Sequence, residues 1–246
     1  MTDRTVLKIS GSDARDFLQG LVSNDVTKLE DGLVYAAMLT PQGKYRADFF
    51  LVPDGDALLM DIATPLAPGI KKALTMYKLR SAVDIEDTDR KVTRGHGTPP
   101  DGAFADPRDP AMGWRAYDGQ PGDDTVDWDA VRVSAGVPES GVELTPESYI
   151  LEMGFERLNG VDFKKGCFVG QEVVARMKHK TVLRKGLAKV AVDGVAPVGT
   201  EIMVGDKPAG TLYTQADGMG LAYLRFDRAS DAMTAGTATV RYTPTD

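Results

Sequence analysis

The sequence contains a single cysteine, Cys167, among 246 residues. One cysteine excludes an intramolecular disulfide, and it excludes a four-thiolate zinc or iron–sulfur site built from this chain alone. The two histidines, His96 and His179, are far apart and have no acidic ligand cluster beside them. The sequence therefore predicts no metal site, and it favours a reducing compartment, which we predict to be the cytoplasm.

Positive charge and long apolar runs are also scarce. The chain has 29 basic and 36 acidic residues, a net charge of −7. It has no general excess of cations to displace counterions from a nucleic acid, although a local basic patch could contact RNA. No apolar run approaches the ~18 residues of a membrane span, and no signal-peptide core precedes Gly11. We expect no membrane partner.

What is present is a globular composition, with 42% hydrophobic and 26% charged residues. Apolar residues spaced as in a helix follow Ser12, and they predict a helix over about 12–22 with Ser12 as its N-cap. Apolar runs between turn residues predict antiparallel strands, which indicates an α+β fold. The further predicted elements are strands over 34–39, 47–52, 57–62 and 81–85, a helix from Thr64 to Tyr77, short strands within 94–124 such as 112–117, a helix over 126–135 and a helix that begins at Thr145.

The pattern changes after Arg184. Five short apolar runs follow with only turn residues between them, over 187–192, 201–204, 209–214, 219–225 and 237–242. Closely spaced strands without helices predict a small β-barrel. We place the boundary at 181–185, so that an α+β region, 1–183, with subdomains of about 1–90 and 91–183, precedes a barrel, 184–246.

One segment combines the cysteine with glycines and basic residues. Val173, Val174 and Met177 recur at helical spacing, so a helix is predicted to begin at about Gly170. Cys167 then lies just before a helix N-terminus and beside Lys164 and Lys165, an environment that favours a thiolate and a reactive thiol. The alternative is a small buried side chain, which is the usual place of a lone cysteine.

The octapeptide Lys165-Gly166-Cys167-Phe168-Val169-Gly170-Gln171-Glu172 resembles the K-G-C-x-x-G-Q-E motif of the YgfZ family. These are folate-binding proteins related to the T-protein aminomethyltransferase of the glycine cleavage system. Residues 11–26 are similar to the N-terminal motif that both families share, and Thr40-Pro41-Gln42-Gly43-Lys44 is a further similarity. The resemblance runs from residue 6 to the C-terminal strands.

The resemblance implies a T-protein-like fold, in which intertwined α+β subdomains surround a central opening and a C-terminal β-barrel follows. It implies that tetrahydrofolate, or a one-carbon derivative, binds in the opening. It also implies that the protein supports the assembly or repair of iron–sulfur enzymes, with iron–sulfur client or assembly proteins as partners. A link to tRNA modification would be indirect, through such an enzyme.

Two residues are the candidates for chemistry, Cys167 and Asp48. Asp48 matches the second aspartate of the T-protein G-G-x-x-D-D motif, whose carboxylate assists proton movement at the folate nitrogen. Ala47 stands where that motif has its first aspartate. From the residues alone, Asp48 could equally cap a turn or pair with Arg46.

By the same resemblance, folate-binding roles fall on Asn24, Asp25, Lys165, Gly166, Gly170, Gln171, Glu172 and Arg176. An amide or carboxylate can match the donor and acceptor edge of a pterin, and Arg176 could meet a folate carboxylate. Each also has a structural interpretation. Asn24 and Asp25 could form a turn, a polar first turn is favourable in any helix, and Arg176 could be a solvated charge.

Two main functions follow. The first is a tetrahydrofolate-binding factor for iron–sulfur enzymes that acts through Cys167. The second is a folate-dependent aminomethyl or one-carbon transferase that uses Asp48, which the missing first aspartate disfavours. A thiol enzyme without folate is a third, and no histidine near Cys167 in the sequence supports it. Whether the chain is an enzyme stays open.

Overall fold

The computed structural model describes residues 3–180 and 182–244. Thr181, with which the predicted boundary segment 181–185 begins, lies outside the described residues. The helices and strands of the α+β region are β1 (Arg4–Ser10), α1 (Ala14–Gln19), β2 (Val34–Leu39), β3 (Tyr45–Asp54), β4 (Ala57–Ala63), α2 (Ala67–Lys78), β5 (Asp84–Asp87), β6 (Thr93–Gly95), β7 (Phe104–Ala105), β8 (Trp114–Ala116), α3 (Trp128–Ala135) and α4 (Gln171–Lys180).

The first five strands form one antiparallel sheet in the order β2-β3-β4-β1-β5. Both of its faces are covered, which explains why β2 is an unbroken run of buried residues. Side chains alternate across a strand. Val34, Ala36 and Met38 therefore pack with α1 and α2 on one face, in the first core. Tyr35 and its alternate neighbours pack into the second core, on the other face.

Charged residues occur on the face that meets the second core. In β3, Ala47 and Phe49 enter the first core, so Asp48 and Phe50 point the other way. In β4, Asp61 is fully buried on the same face as Leu59. The strands thus bring two carboxylates, Asp48 and Asp61, to one side of the sheet.

The second half of the α+β region covers that face. A three-stranded sheet has the order β6-β8-β7. Helix α3 begins after Asp127, whose side chain accepts hydrogen bonds from the backbone N–H groups of Asp129 and Ala130, and it ends at Gly136 in the left-handed conformation. These are ordinary helix capping arrangements.

The remaining strands form a closed barrel in the order β10-β11-β12-β9-β14-β13 around a third core. Its strands are β9 (Lys185–Asp193), β10 (Thr200–Val204), β11 (Lys207–Ala216), β12 (Met219–Arg225), β13 (Met233–Ala235) and β14 (Ala238–Arg241). Arg132 of α3 donates to Thr214 of β11, and its Nη1 lies 2.9 Å from Glu143 Oε2. Glu143 also accepts from the Thr214 hydroxyl at 2.8 Å, so a buried polar network joins the barrel to α3.

The predicted fold class, an α+β region followed by a barrel, is confirmed. One predicted helix is wrong. Residues 145–159 form no helix: Tyr149 pairs with Lys44 in an isolated β-bridge, residues 150–159 form consecutive turns, and Gly154 at φ +79° interrupts any helical course. Several elements differ in extent. Helix α1 is shorter than 12–22, and its N-cap is Asp13 and not the predicted Ser12, because the helix begins only at Ala14. Strand β3 is longer than 47–52, and the strand expected at 81–85 is β5. No helix among the described residues is long and apolar enough to cross a membrane.

Candidate functional site

The cysteine motif lies in a loop, residues 162–170, that is fastened to the end of α1. The Lys165 ammonium donates to the backbone carbonyls of Gln19 and Val22, the latter at 2.7 Å. Burial lowers the pKa of Lys165 to about 8, although Asp25 and Asp162 act in the opposite direction. A cation at these carbonyls also complements the negative end of the helix.

A second set of contacts holds the start of the loop. Asp162 Oδ1 accepts from the Lys164 backbone N–H at 2.6 Å, and Asp162 Oδ2 lies 2.6 Å from Lys28 Nζ. Asp162 thus connects the start of the loop to Lys28, a residue far away in the sequence. The loop is fixed by side chains that are distant in sequence.

The residues after the cysteine anchor the loop in two places. Phe168 packs against the second core and Val169 against the first core. The Cys167 side chain is exposed. The loop therefore presents its thiol to solvent while its neighbours are held by packing.

Two glycines allow this loop to approach the turn at Thr40–Gly43. Gly170 has φ +85°, and a Cβ placed on it would lie 2.6 Å from the Thr40 carbonyl oxygen. Gly43 has φ +74°, and a Cβ there would lie 2.6 Å from Val173 Cβ. The two segments that resemble family motifs are therefore in direct contact, and no larger residue fits either position.

The polar pair after Gly170 begins α4. Gln171 turns back, and its Oε1 accepts from the Phe168 backbone N–H at 3.2 Å. Glu172 and Arg176 lie one turn apart and are exposed. The structure gives Gln171 a local capping role, and it directs Glu172 and Arg176 to solvent.

Asn24 and Asp25 have structural partners. The buried Asn24 amide donates to the carbonyls of Tyr35 and Asn159, at 2.8 and 2.7 Å. Asp25 accepts from the Thr27 backbone N–H at 3.0 Å, and it caps a short 3-10 helix, Val26–Glu30. Burial alone would raise the pKa of Asp25, but the hydrogen bonds from Thr27 and Gln19 lower it.

Gln19 joins this pair to the loop. Its amide nitrogen lies 3.1 Å from Asp25 Oδ1 and 3.4 Å from the Lys165 carbonyl oxygen. The structure therefore brings Asn24, Asp25 and Lys165 together as the support of the cysteine loop.

Asp48 lies elsewhere, in the interior. It is 3% exposed, and three hydroxyl groups point at its carboxylate. Tyr45 lies at 2.6 Å, Tyr35 at 3.0 Å and Ser140 at 2.5 Å. Burial raises the pKa of both tyrosines well above the ordinary value, so each hydroxyl keeps its proton at neutral pH and donates a hydrogen bond to Asp48. Tyr35 also links Asp48 to Asn24, because the Tyr35 carbonyl accepts a hydrogen bond from the Asn24 amide.

Three arginines cluster around the ring of Phe50, which lies on the same face of β3 as Asp48. The guanidinium groups of Arg4, Arg108 and Arg115 all lie within 6 Å of the Phe50 ring centroid. Arg108 forms two hydrogen bonds with Asp106, at 2.9 and 2.7 Å. The interior is thus a dense set of ion pairs around one aromatic ring.

Asp61 is the centre of these ion pairs. It accepts from Arg4 at 2.6 Å, from Arg115 at 2.8 Å and from the Tyr117 hydroxyl at 3.0 Å. Burial alone would raise the pKa of Asp61, but Arg115 and Arg4 outweigh burial and hold it at about 2. Arg94, also nearby, has its pKa lowered to about 10 by burial and by Arg115.

The hollow beside Asp48 does not fit a folate. Its walls include Asp48, Arg94, Arg108 and Arg115, and its volume is about 10 Å³. Pockets for ligands of this size usually measure ~300–1,000 Å³. A folate could enter only after the ion pairs that fill this space had separated.

The predicted residues thus form two groups. Cys167, Lys165, Gly166, Gly170, Gln171, Asn24 and Asp25 belong to the loop and its support, and Asp48 belongs to the ion-paired interior. Glu172 and Arg176 belong to neither group, because they are exposed on α4. Among the described residues, no three His, Cys, Asp or Glu side chains are arranged to hold a metal ion.

Sequence reasoning missed the interior arginines and their partners Asp61 and Asp106. Asp61 did leave a signal, because it is the one charged residue in the apolar strand Ala57-Leu58-Leu59-Met60-Asp61-Ile62-Ala63. A charge inside a buried strand requires a buried partner. Arg108 and Arg115 lie in a stretch rich in glycine, proline and aspartate, where no periodicity identifies a buried residue.

Comparison with known proteins gives three findings. Residues 184–246 match the family described as CAF17, C-terminal beta-barrel domain. Over 222 residues the chain is 34% identical to the iron-sulfur cluster assembly factor IBA57 homolog, mitochondrial, of Mycosarcoma maydis, covering 76% of this chain and 55% of that protein. The human iron-sulfur cluster assembly factor IBA57, mitochondrial, is 28% identical, with 90% and 75% covered.

Among solved structures, the chain is similar to the glycine cleavage system aminomethyltransferase T from Bartonella henselae. The TM-score is 0.75 at 11% identity, over 96% of this chain and 81% of that one. This likeness shows the fold. The chain spans about half the length of the first fungal relatives, 55% of one and 54% of the Neurospora crassa protein. The comparisons support the expected relationship in its broad form, and the Mycosarcoma maydis and human relatives bear the name IBA57.

The prediction of a cytoplasmic location is wrong by this comparison. The Mycosarcoma maydis, Neurospora crassa and human relatives are mitochondrial proteins by name. The prediction depended on the single cysteine, which excludes an internal disulfide wherever the protein resides. Such a count does not distinguish one reducing compartment from another.

Proposed function

We propose that this chain supports the assembly of iron–sulfur clusters and acts through Cys167. The observation that carries the proposal is the exposed thiol on a loop that Lys165, Phe168 and Val169 hold in place. The similarity to proteins named iron-sulfur cluster assembly factors supplies the process.

The chemistry of the thiol limits how it can act. Iron–sulfur clusters are usually held by four protein ligands, most often cysteine thiolates. This chain has one cysteine, so it can offer one ligand while the other ligands come from a client or assembly protein. Solvent exposure and a fixed backbone suit a thiolate that meets a partner.

The family resemblance also implies that tetrahydrofolate, or a one-carbon derivative, binds to this chain. The hollow beside Asp48 has a volume of only about 10 Å³ and is closed by ion pairs. No step of the proposed function therefore depends on folate. We expect tetrahydrofolate to leave the melting temperature unchanged, since a ligand that binds only the folded state would raise it. A saturable increase at millimolar folate would contradict this and indicate that the interior opens.

The transferase that uses Asp48 has less support. A general acid or base must come within hydrogen-bond reach of the substrate. Asp48 is 3% exposed, and Tyr35, Tyr45 and Ser140 occupy its carboxylate. This arrangement suits a structural carboxylate. An indirect connection with tRNA modification, through an iron–sulfur enzyme, remains a proposal that depends on the main one.

The decisive experiment measures an iron–sulfur enzyme in cells that lack this gene. We expect lower enzyme activity, restored by the unchanged chain and not by Cys167→Ala or Cys167→Ser. Because the side chain is exposed, both variants are expected to keep the melting temperature. Asp48→Asn, designed as the matched test of the transferase, keeps the size of the side chain and is expected to restore activity if it folds. Full restoration by Cys167→Ser would show that the thiol is dispensable.

A further inference from the structure

A leucine occupies a glycine position at the end of α2. Leu79 follows the last helical residue, Lys78, with φ +43° and ψ −101°. The Ser81 backbone N–H donates to the Lys78 carbonyl at 2.7 Å, which closes a turn of type II′. The first central residue of such a turn is usually glycine, and a bulky side chain is disfavoured there. The backbone alone therefore gives no reason for leucine at this position.

The side chain of Leu79 also packs on little of its own chain. It is 86% exposed and belongs to none of the three cores. Met76, one turn earlier on α2, is 67% exposed. Exposed apolar side chains gain free energy when another surface covers them, and backbone strain is found mostly at residues that serve binding or catalysis. Strain and exposure together indicate that Leu79 contacts something outside the chain.

Leu79 and Met76 belong to one exposed stripe of α2. Lys72 and Met76 are four residues apart, so they share a face of the helix, and Leu79 follows three residues later. All three are exposed, whereas the opposite face of α2 packs into the first core. Arg80 is exposed beside Leu79 in the turn. The stripe thus has a cation at each end and two apolar side chains between them.

The charges around the stripe define what can cover it. Within residues 3–180 and 182–244, neither cation of the stripe is in a salt bridge. Lys71 and Lys78, by contrast, pair with Asp87 and Asp84 of β5. Between Ala67 and Val83 the sequence has no acidic residue. An occupant of the stripe therefore needs carboxylates at both ends and an apolar middle.

The turn that carries Leu79 and the cysteine loop are fastened to the two ends of α1. The Ala82 backbone N–H donates to Asp13 Oδ2 at 2.8 Å, immediately before α1 begins. Lys165 of the cysteine loop contacts the other end of α1. Helix α1 has six residues, which span about 9 Å at ~1.5 Å per residue. An ordinary protein interface buries ~800 Å² on each partner and can cover both ends of so short a helix.

We propose that the outer α2 stripe, formed by Lys72, Met76, Leu79 and Arg80, is a docking site for a protein that offers an apolar pocket flanked by carboxylates. Leu79 enters the pocket, and the carboxylates meet the two cations. Methionine and arginine are enriched in protein interfaces. The inference rests on the proposed function, to which it adds a second contact with the client or assembly protein, away from the thiol.

A protein suits the stripe better than a membrane or a second copy of this chain. The apolar face of α2 is buried in the first core, so only Met76 and Leu79 could enter a bilayer. An anionic membrane would also repel a chain with a net charge of −7. In a two-fold dimer the stripe would face its own copy and bring cations together.

The main test replaces the leucine by the residue that the turn favours. Leu79→Gly removes both the strain and the apolar side chain, so the melting temperature should not fall. In cells that lack the gene, the same variant should lower iron–sulfur enzyme activity roughly fivefold, the loss expected when an interface contact is truncated. Val195→Gly is the control, because Val195 is 82% exposed on the barrel, and it should restore activity fully. Full restoration by Leu79→Gly would overturn the proposal.

A second variant tests the cations and leaves the turn unchanged. Lys72→Glu with Arg80→Glu should keep the melting temperature and lower enzyme activity roughly fivefold, since like charges would then meet across the interface. Lys207→Glu with Arg241→Glu is the matched control, because both are exposed cations of the barrel. It should restore activity fully. Equal activity of the two double variants would overturn the proposal of an acidic partner.

Two measurements on the purified chain test the other occupants. Flotation with vesicles of phosphatidylcholine and cardiolipin should show no bound chain, and gel filtration should show no dimer that depends on Leu79. Vesicle binding that Leu79→Gly abolishes would overturn the proposal in favour of a membrane. A dimer that Leu79→Gly abolishes would overturn it in favour of a second copy.

Failure of this proposal can be told apart from failure of the proposed function. If Cys167→Ala restores enzyme activity, the proposed role of the thiol is wrong, whatever Leu79→Gly does. If Cys167→Ala fails to restore activity and Leu79→Gly restores it, the thiol is needed and the stripe is not a docking site.

Discussion

The ammonium of Lys165 donates to the backbone carbonyl of Val22 across 2.7 Å, and this contact joins the cysteine loop to the end of α1. Val22 itself is buried and pairs with Met38 in an isolated bridge. Lys165 therefore connects the cysteine loop to the five-stranded sheet, in addition to the packing of Phe168 and Val169. A loop with this support has fewer accessible conformations than an unattached loop of the same length.

Replacing Lys165 should release the loop without removing the thiol. Lys165→Met keeps much of the apolar stem and leaves the carbonyls of Gln19 and Val22 without their donor. We expect the free energy of unfolding to fall by about 1–3 kcal/mol. Urea unfolding measures it, and protease cleavage within 162–170 should become faster.

Lys164→Met is the control for this substitution, because Lys164 is the exposed neighbour. It should change the free energy of unfolding by less than about 0.5 kcal/mol. Equal effects of the two substitutions would show that the Lys165 contacts do not fix the loop.

Gly170 and Gly166 offer a matched pair of substitutions. Both have similar backbone conformations, φ +85° and +89°, but a Cβ on Gly166 has no heavy atom within 4 Å. Gly166→Ala should therefore show the conformational cost alone, about 1 kcal/mol. Gly170→Ala should cost about 1–3 kcal/mol more, because its Cβ would meet the Thr40 carbonyl.

The two alanine variants are compared by urea unfolding. If Gly166→Ala lowered the free energy of unfolding more than Gly170→Ala did, the close approach of the Thr40–Gly43 turn would not be what requires glycine at position 170.

The sequence was sufficient for the elements with strong local patterns. The apolar runs of β2 to β4 and the helical spacing of α2 predicted those elements, and the runs after Arg184 predicted barrel strands. The non-helical course of residues 145–159 was not predictable in this way, because Thr145-Pro146-Glu147 has a helix-start pattern and only Gly154 opposes it. Tertiary packing decides such segments.

The candidate site was predicted only in part, because a local motif identifies the loop but not the distant residues that support it. The octapeptide around Cys167 identified the loop, but its support by Lys165 depends on a contact across 146 positions in the sequence. The interior role of Asp48 depends on Ser140 and on both tyrosines, which no local spacing connects. Long-range polar contacts leave little trace in one sequence.

Asp61 should make stability depend on acid. Its pKa is held at about 2, against an ordinary value of about 3.9, so its ionisation contributes about 2–3 kcal/mol to the free energy of unfolding at neutral pH. The folded-state pKa is the lower one. The contribution is therefore complete above about pH 4 and is lost as the pH falls towards 2.

Asp61→Asn should remove this acid dependence. It should also cost about 3–5 kcal/mol at pH 7, because Arg4 and Arg115 would remain buried without their carboxylate. Urea unfolding between pH 2 and 7 measures both effects. Asp56→Asn, at an exposed turn, is the control. If Asp61→Asn had the same pH profile as the unchanged chain, other carboxylates would account for acid unfolding.

The division of the chain leads to the last prediction. We propose an α+β region, 1–183, with subdomains of about 1–90 and 91–183, and a barrel, 184–246. Residues 96–102 are all exposed and belong to no strand or helix, whereas β11 and β12 pair along most of their length. A protease needs a locally unfolded substrate, so it should cut within 94–124 well before it cuts the barrel.

The fragments of that first cut should stay together, because Arg132, Glu143 and Thr214 join α3 to the barrel by buried hydrogen bonds. Thr214→Val removes the hydroxyl, so Arg132 and Glu143 each lose a buried hydrogen-bond partner. The free energy of unfolding should therefore fall by about 1–3 kcal/mol. It should also allow the barrel strands to be cut earlier. Limited proteolysis followed by mass spectrometry and gel filtration measures both results. An early, clean cut inside 200–225 of the unchanged chain would contradict the proposed division, since it would make the barrel the least stable part of the molecule.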